Sequence, residues 1–369
     1  PSADATNAAA NASMLGSVRS GHAGPTRGSS RNHRIPRSAP TATSAATAHV
    51  ATASTPGASA AAASGPAPGS PAAPAGESCA QAVAQAPVRC HAPATAMVPV
   101  LKHIVEQKRR EVAEAKRRVP VEALKERIAE LGRPRNFFRN VVDDRHPGDM
   151  RIIAEVKRKS PSAGVIRQDF DPVDIARRYW EAGAAAISCL TDAEFFGGDL
   201  SYIHAIRDAV PLPVLRKDFL IDIYQVYEAR AAGADAILLI AECLHESEII
   251  DFQILATELQ MTTLLEVHSL DNLWRVVNHV GFPHPGYGLL GINNRDLATM
   301  KVDLGHVMRI ADMVEAPTRR VMVAESGIRT HEDLMRLHRH GVHAALVGEG
   351  LMREPDPGKA LRALLRPPG

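Results

Sequence analysis

The amino-acid sequence predicts an α/β fold, a (β/α)8 TIM barrel, from three observations. Eight short apolar runs alternate with amphipathic segments of helical periodicity. The βα units recur at roughly 30-residue spacing and fill about 270 residues, close to the size of such barrels. The runs are nearly all apolar, which is typical of parallel strands that helices cover. The eight predicted strands are residues 152–156, 185–190, 213–215, 236–240, 263–267, 289–292, 321–324 and 344–347.

Two extra helices are predicted before the first strand. Over residues 101–118, apolar residues recur at helical spacing opposite a face of Lys, Arg and Glu, which predicts a surface helix. Pro120 opens a second short helix that runs through residue 131. Within the barrel, Asp171 followed by Pro172 has the form of a helix N-cap. Glycines stand where three helices are expected to end: Gly183, Gly233 and Gly341.

A doubly wound open sheet is the structural alternative. Such a sheet usually has fewer strands and carries a phosphate-binding loop after its first strand. The segment GYGLLG at residues 286–291 fits the pattern G-x-G-x-x-G. However, it leads into the sixth strand instead of linking a strand to a helix, so we reject it as a nucleotide loop.

The composition argues against several classes of protein. The 369 residues include 43 Lys and Arg against 41 Asp and Glu, a formal charge of +2. A charge so close to zero argues against electrostatic binding of nucleic acid or of an anionic membrane. No apolar run reaches the length of a transmembrane helix, about 18 residues. The four Cys are too few for a disulfide scaffold and contain no C-x-x-C pair.

Residues 1–97 differ from the rest, and we predict that they form a disordered, low-complexity extension to a barrel domain of residues 98–369. The stretch is built from Ala, Ser, Thr, Pro and Gly, without aromatic residues or Lys. It therefore cannot bury enough apolar surface to offset its chain entropy. Three explanations stay open: an organelle transit peptide, which is Arg-rich, Ser-rich and acid-poor; a tail without a defined role; or upstream sequence that is not translated, since Met97 directly precedes the first helix.

Polar side chains cluster at the carboxyl ends of the predicted strands, where barrels of this kind carry their chemistry. Any one of them is commonly a solvated or salt-bridged group, but chance does not explain their coincidence at five strand ends. Two Lys, several Glu and an Asn brought together form an acid–base constellation, in which close packing separates pKa values into donors and acceptors. These residues are Glu155, Lys157, Lys217, Glu266, Asn293, Glu325 and Ser326.

A phosphate site is predicted beside this constellation. Barrels often bind phosphate through the loops after strands seven and eight. Gly327 stands in the first of these loops, and Gly348 and Glu349 stand in the second. Glycine lets the backbone approach an anion and present its N–H groups, although ordinary turn glycines are the alternative. Ser160, just past strand one, could add a hydroxyl.

Three other features receive weaker interpretations. His338, His340 and His343 look like a metal cluster, but no further ligand stands at helical spacing, so we interpret them as solvated and predict no metal. Cys189 is expected to be a buried small apolar residue. Glu242 receives no role.

Five motifs, in order, resemble the indole-3-glycerol-phosphate synthase family from about residue 99 to the end. They are IIAEVKRKSPS at 152–162, LRKDF at 215–219, LEVH at 265–268, GINNRDL at 291–297 and VAESGI at 323–328. The resemblance implies a carbon–carbon lyase of tryptophan biosynthesis that needs no metal or organic cofactor. Members close the indole ring of 1-(2-carboxyphenylamino)-1-deoxyribulose 5-phosphate, releasing CO2 and water to give indole-3-glycerol phosphate.

The resemblance also implies roles for the polar residues. Lys217 would be the general acid for ring closure, while Lys157 and Glu266 would serve acid–base roles in the condensation and the dehydration. Glu155 would position Lys157 and contact the sugar. Asn293 and Glu325 would hydrogen-bond the intermediate or its catalytic groups. Ser326 is counted with the catalytic residues and stands beside Gly327 in the loop after strand seven.

The remaining candidates would bind the substrate. Arg295 would bind the substrate carboxylate with its planar fork, and Phe196 and Phe219 would flank the anthranilate ring. The phosphate would be held by the group Ser160, Gly327 and Gly348, with Glu349 in the same loop. Gly350 departs from the family, because many members have Ser there and the hydroxyl is lost.

The expected partner is a phosphorylated small molecule, with no nucleic acid and no membrane. We expect a monomer, with at most weak association with other tryptophan-pathway enzymes. The expected location is the cytoplasm, or a plastid if residues 1–97 are a transit peptide.

Two rival functions stay open. A Schiff-base aldolase would use Lys217 as its nucleophile, and borohydride trapping of a substrate adduct would reveal it. A barrel that only binds a phosphorylated ligand or a partner subunit is the non-enzyme alternative, since a fold does not confer activity. The intact set of acidic and basic residues at the strand ends argues against that alternative.

Overall fold

The computed structural model describes residues 97–142, 149–280 and 287–366 of the chain. Residues 1–96, which make up nearly all of the predicted extension, lie outside these ranges, as does Gly286 of the rejected G-x-G-x-x-G pattern. Over the described ranges no helix is long and apolar enough to cross a bilayer.

Eight parallel strands close into a barrel in the described part of the chain, which confirms the predicted fold and excludes an open sheet. The first strand pairs with the last, Ala154 opposite Val347, and with the second, Glu155 opposite Ser188. The residues of the eight strands are almost all buried, because one face of each strand fills the barrel and the other packs against the helices. The strands are β1 Arg151–Val156, β2 Ala186–Leu190, β3 Val214–Lys217, β4 Ala236–Ile240, β5 Thr262–Val267, β6 Gly288–Asn293, β7 Met322–Glu325 and β8 Ala344–Val347.

Helices precede the barrel and connect its strands. Asp171 caps one of them as predicted, because its carboxylate accepts hydrogen bonds from the N–H groups of Val173 and Asp174. The three glycines expected to end helices all have positive φ, between 75° and 95°. The helices are α1 Pro99–Arg118, α2 Val121–Glu130, α3 Phe137–Val141, α4 Pro172–Glu181, α5 Ala193–Phe196, α6 Ser201–Ala209, α7 Tyr224–Ala231, α8 Glu246–Glu258, α9 Leu270–Val280, α10 Gly305–Met313, α11 Ala316–Arg320, α12 His331–Arg339, α13 Glu349–Met352 and α14 Pro357–Leu365.

Helix α1 lies at the carboxyl end of the barrel. Its polar face was predicted to lie at the surface, but part of that face is buried. Lys108, on that face, is only 3% exposed. Its ammonium lies 2.8 Å from Asp192, which follows β2, and 2.9 Å from Asp218, which follows β3. A helical period identifies a polar face, but it does not reveal that two carboxylates of the barrel face one of its lysines.

Several short elements were not predicted, and helix α3 and a hairpin after β1 are two of them. Helix α3 has five residues and buries Phe137 completely, and the side chain of Asn140 donates to the carbonyl of Ala185 just before β2. It therefore packs at the amino end of the barrel. After β1, a small hairpin pairs Lys159–Ser160 with Gly164–Val165. Both elements are too short for periodicity to reveal them.

Candidate active site

All the candidate residues line one cavity of about 660 Å³ at the carboxyl ends of the strands. Parallel strands end at the same rim, so side chains far apart in sequence arrive together. The volume is in the range of small-molecule sites. The lining includes Glu155, Lys157, Ser160, Phe196, Lys217, Phe219, Glu266, Asn293, Arg295, Glu325, Ser326, Gly327, Gly348 and Glu349. The geometry brings these residues together, while their roles stay predictions.

Lys217 lies at the centre of this cavity between two carboxylates. Its Nζ is 2.9 Å from Glu266 Oε2 and 2.9 Å from Glu325 Oε2. The side-chain amide of Asn293 donates to Glu266 Oε1 at 2.9 Å, and the hydroxyl of Ser326 donates to Asn293 Oδ1 at 2.8 Å. The strand ends of β3, β5, β6 and β7 are thus joined in one hydrogen-bonded network.

A second ammonium–carboxylate pair lies at the end of β1. Lys157 Nζ is 2.5 Å from Glu155 Oε1, as expected from the alternation that turns both side chains inward. Two glycines leave room for the carboxylates. A Cβ at Gly348 would overlap Glu155 Oε1, and a Cβ at Gly291 would overlap Glu325 Oε1. These two glycines are therefore needed because a side chain there would occupy the space of the carboxylates.

The pKa values of the two glutamates beside Lys217 are shifted in opposite directions. Burial, followed by the charge of Glu266, raises the pKa of Glu325 to about 8, against the pull of Lys217. Burial also opposes ionisation of Glu266, but Lys217, His268 and Asn293 outweigh it and hold the pKa of Glu266 well below its usual range. Burial disfavours the Lys217 ammonium, yet the neighbouring carboxylates keep its pKa above the ordinary value. At neutral pH, Lys217 is therefore an ammonium between one carboxylic acid and one carboxylate.

The raised pKa predicts how the stability of Glu325→Gln depends on pH. Unfolded Glu releases its proton near pH 4.5, whereas the folded protein retains it to about pH 8, so the stability contributed by Glu325 is present at low pH and lost as pH rises to 8. Gln has the shape of the protonated acid and does not titrate. The variant should therefore gain stability relative to the natural chain by up to about 1.4 kcal/mol per pH unit over this window. Denaturant unfolding measures the difference, and a pH-independent difference would contradict the raised pKa.

His268 and Glu242 belong to the site but received no role from the sequence. His268 lines the cavity, with Nε2 3.1 Å from Glu266 Oε1 and Nδ1 3.1 Å from Glu242 Oε2. Alternation along β5 could have indicated that Glu266 and His268 share a face. Nothing in the sequence pattern indicated that Glu242, after the neighbouring strand, contacts the same imidazole.

An apolar wall faces the charged network. The rings of Phe196 and Phe219 lie with centroids 6.1 Å apart. Phe196 ends α5, whose N-cap Asp192 accepts hydrogen bonds from the N–H groups of Phe195 and Phe196. Because Lys108 of α1 contacts Asp192, the first helix also helps to fix this wall. The wall is suited to the face of an aromatic ring.

The predicted phosphate loops border the same cavity. Gly327 has φ of 83°, and Ser326 has φ of 65°, unusual for a residue with a side chain. Ser160 is buried, and its hydroxyl accepts a hydrogen bond from the Ala163 N–H. Gly350 has room for a side chain, since a Cβ added there would make an ordinary van der Waals contact, 3.8 Å from the carbonyl oxygen of Ile328. The loops can therefore present backbone N–H groups to an anion.

Arg295 and Glu349 contact each other at the edge of the cavity. Arg295 Nη2 lies 3.7 Å from Glu349 Oε2, and Glu349 also accepts a hydrogen bond from Arg353 at 2.7 Å. A carboxylate thus already stands beside the guanidinium that the resemblance assigns to the substrate carboxylate. Glu349, predicted to stand in a loop, is the first residue of α13, and its carboxylate faces the two arginines.

Gly348→Ala is expected to lower kcat/KM by about 10- to 100-fold, because the methyl group would displace the Glu155 carboxylate from Lys157 and a displacement of about 1 Å can have that effect. Gly132→Ala is the matched control, since a Cβ at Gly132 meets no atom within 4 Å. Steady-state kinetics of both variants measure the effect. Equal activity of the two variants would show that the Glu155–Lys157 contact does not matter.

The weaker candidates lie away from this cavity. His340 pairs with Asp312 at 2.8 Å, while His338 and His343 approach each other at 3.0 Å between their Nδ1 atoms. Within the described ranges no three His, Cys, Asp or Glu side chains are grouped as metal ligands. Cys189 is fully buried, as expected, and burial raises the pKa of its thiol.

Similarity to known proteins extends over most of the barrel. A family model described as "Indole-3-glycerol phosphate synthase" matches residues 101–364. The indole-3-glycerol phosphate synthase of Albidiferax ferrireducens is 44% identical over 268 residues, which are 73% of this chain and 98% of that protein. That of Rhodopirellula baltica is 46% identical over 266 residues, 72% and 98% of the two chains. A solved 3-hexulose-6-phosphate synthase aligns with a TM-score of 0.46 and 16% identity, over 58% of this chain and 98% of that one.

Proposed function

Since the chain belongs to the indole-3-glycerol phosphate synthase family, we propose that residues 98–369 convert 1-(2-carboxyphenylamino)-1-deoxyribulose 5-phosphate to indole-3-glycerol phosphate, CO2 and water. The observation that carries the proposal is the position of Lys217 between Glu266 and Glu325, in the cavity that also holds the Glu155–Lys157 pair. Proton donors and acceptors are the groups that this reaction requires.

Lys217 acts as the general acid for ring closure. When the aromatic carbon attacks the ketone carbon of the sugar, negative charge develops on the ketone oxygen and a proton must reach it. The neighbouring carboxylates hold the pKa of Lys217 above its ordinary value, so its ammonium form is present at neutral pH. A preorganised ammonium in a buried site stabilises such an alkoxide.

Lys157 and Glu266 act in the later proton transfers. After CO2 has left, the new hydroxyl must be protonated to depart as water, and a base must take the proton from the ring nitrogen. Glu266 is the carboxylate that stays ionised, because its pKa is held well below the usual range. Lys157, 14% exposed and paired with Glu155, is a second ammonium donor, at the end of β1.

The rest of the cavity holds the substrate. Phe196 and Phe219 flank its aromatic ring, Arg295 binds its carboxylate after exchanging the contact with Glu349, and the loops at Gly327 and Gly348 bind its phosphate. The cavity offers each chemical part of the substrate a matching surface. Its volume of about 660 Å³ is sufficient for a molecule of this size.

The Schiff-base alternative is less compatible with the site. A lysine nucleophile must be neutral, and it is usually made so by an apolar pocket or a neighbouring cation. Lys217 has two carboxylates instead. The experiment that tests the proposal mixes the full-length protein with the substrate and follows indole fluorescence, with and without borohydride. Indole formation without a trapped adduct supports the proposal. A trapped adduct, or no indole, would reject it.

A further inference from the structure

A buried histidine lies between two carboxylates and has no part in the chemistry proposed above. His268 is 8% exposed in its side chain, and each ring nitrogen lies 3.1 Å from a different carboxylate, that of Glu242 and that of Glu266. Nδ1 hydrogen-bonds Glu242, while Nε2 is at ion-pair distance from Glu266. A neutral imidazole would turn the lone pair of one ring nitrogen toward a carboxylate oxygen, whereas an imidazolium places an N–H beside each carboxylate. The arrangement therefore favours the charged ring.

Resting on the proposed function, we propose that His268, held as an imidazolium by Glu242, is a positioning residue that keeps Glu266 ionised beside Lys217. The proton shared by the two buried glutamates then stays on Glu325. His268 touches no reacting atom in this account and acts through Glu266.

Glu242 is anchored as a hydrogen-bond acceptor on every side. Its Oε1 accepts from the backbone N–H of His268 at 2.9 Å and from the side-chain amide of Asn272 at 2.9 Å, and its Oε2 faces the imidazole. These hydrogen bonds hold the Glu242 carboxylate in place beside the imidazole. The negative charge of Glu242 in turn favours the imidazolium of His268.

The charges around His268 balance under this assignment. With Glu325 protonated, the two cations Lys217 and His268 are matched by the two anions Glu266 and Glu242, which satisfies the requirement that buried charges be paired. Burial opposes the charged ring, but the hydrogen bond with Glu242 and the negative charge of Glu266 raise the pKa of His268 to about 10.

The other groups that face His268 do not alter this balance. His306 of α10 contacts its backbone, and burial and Arg309 lower the pKa of the His306 ring, which leaves it neutral at pH 7. Burial and then Glu242 raise the pKa of the Cys243 thiol. Asp296 is solvated, and hydrogen bonds from the N–H groups of its own loop lower its pKa.

The first test is the pH dependence of kcat/KM in His268→Gln. Gln can still donate to Glu266 but carries no charge, so the pKa of Glu266 should rise and the acidic limb of the profile should move up by about one pH unit or more. Glu242→Gln should move the limb in the same direction. His340→Gln, which removes a histidine paired with Asp312 outside the cavity, should leave the limb in place.

A direct readout is nitrogen NMR of the full-length protein with labelled histidine, in which the His268→Gln spectrum identifies the resonance. One imidazole should remain doubly protonated at pH 8 and disappear in the variant. A His268 ring that titrates near the ordinary value of about 6.5 would overturn the inference, and so would an unmoved acidic limb in folded, active His268→Gln. If that variant does not fold, Glu242→Gln and the spectrum of the natural chain decide. If the natural chain makes no indole product, the proposed function fails, while NMR still decides the charge of His268.

Discussion

Replacing Lys217 with Met is expected to lower kcat/KM by about three orders of magnitude or more, the upper part of the range for loss of a general acid. The ammonium is the cation that two buried glutamates share, at 2.9 Å from each. Met keeps the length of the side chain but cannot donate a proton. Indole fluorescence in steady-state assays measures the loss.

The same substitution should also destabilise the protein, because Glu266 and Glu325 lose their shared partner. Loss of one partner from a buried ion pair typically costs about 3 kcal/mol or more. The cost should be smaller at low pH, where both carboxyls can be protonated. Lys116→Met is the matched control, since it removes a 2.7 Å ion pair with Asp222 at the surface and should cost less than about 1 kcal/mol. Near-normal turnover in a folded Lys217→Met would refute the assignment.

Glu266→Gln is expected to lower kcat/KM by about two to four orders of magnitude, the usual contribution of a general base. Glu266 accepts hydrogen bonds from Lys217 and Asn293 and lies beside His268. Gln removes the carboxylate whose pKa is held well below the usual range. It also places an amide N–H group against Lys217 or Asn293, which are themselves donors. The measurement is again steady-state kinetics across pH.

Glu325→Gln is the matched comparison for Glu266→Gln. Both glutamates contact Lys217 at the same distance, but the raised pKa of Glu325, about 8, means that it already carries a proton at neutral pH. Gln imitates that form, so the loss of kcat/KM should be at least tenfold smaller than in Glu266→Gln. An equal loss in both variants would contradict the asymmetry between the two carboxylates.

The sequence predicted the barrel because its signals are local and repeated. Each apolar run became a strand whose ends differ from the prediction by at most two residues. Parallel strands of one barrel end at one rim, so the meeting of Lys157, Lys217 and Glu266 followed from topology alone. Short elements were not predicted, because they are too short to show a period. The five residues of α3, for example, contain little more than one helical turn.

The contacts that the sequence did not reveal depend on register and on docking. Glu242 meets His268 because β4 and β5 pair with Ile240 opposite Glu266, which sets the residues after each strand side by side. Lys108 is buried because α1 docks on the rim with that face toward two carboxylates. The strands are apolar on both faces, so alternation of polar and apolar residues does not fix their register, and it does not give the angle at which a helix docks.

We propose that the ammonium groups at the rim transfer protons to a substrate that the rest of the cavity binds. The most direct measurement titrates Lys217→Met with the substrate and follows binding and indole formation in the same sample. We expect substrate affinity within about tenfold of that of the natural protein, because the phosphate loops and the aromatic wall are intact, and indole formation slower by about three orders of magnitude or more. Indole formation at close to the natural rate would contradict it.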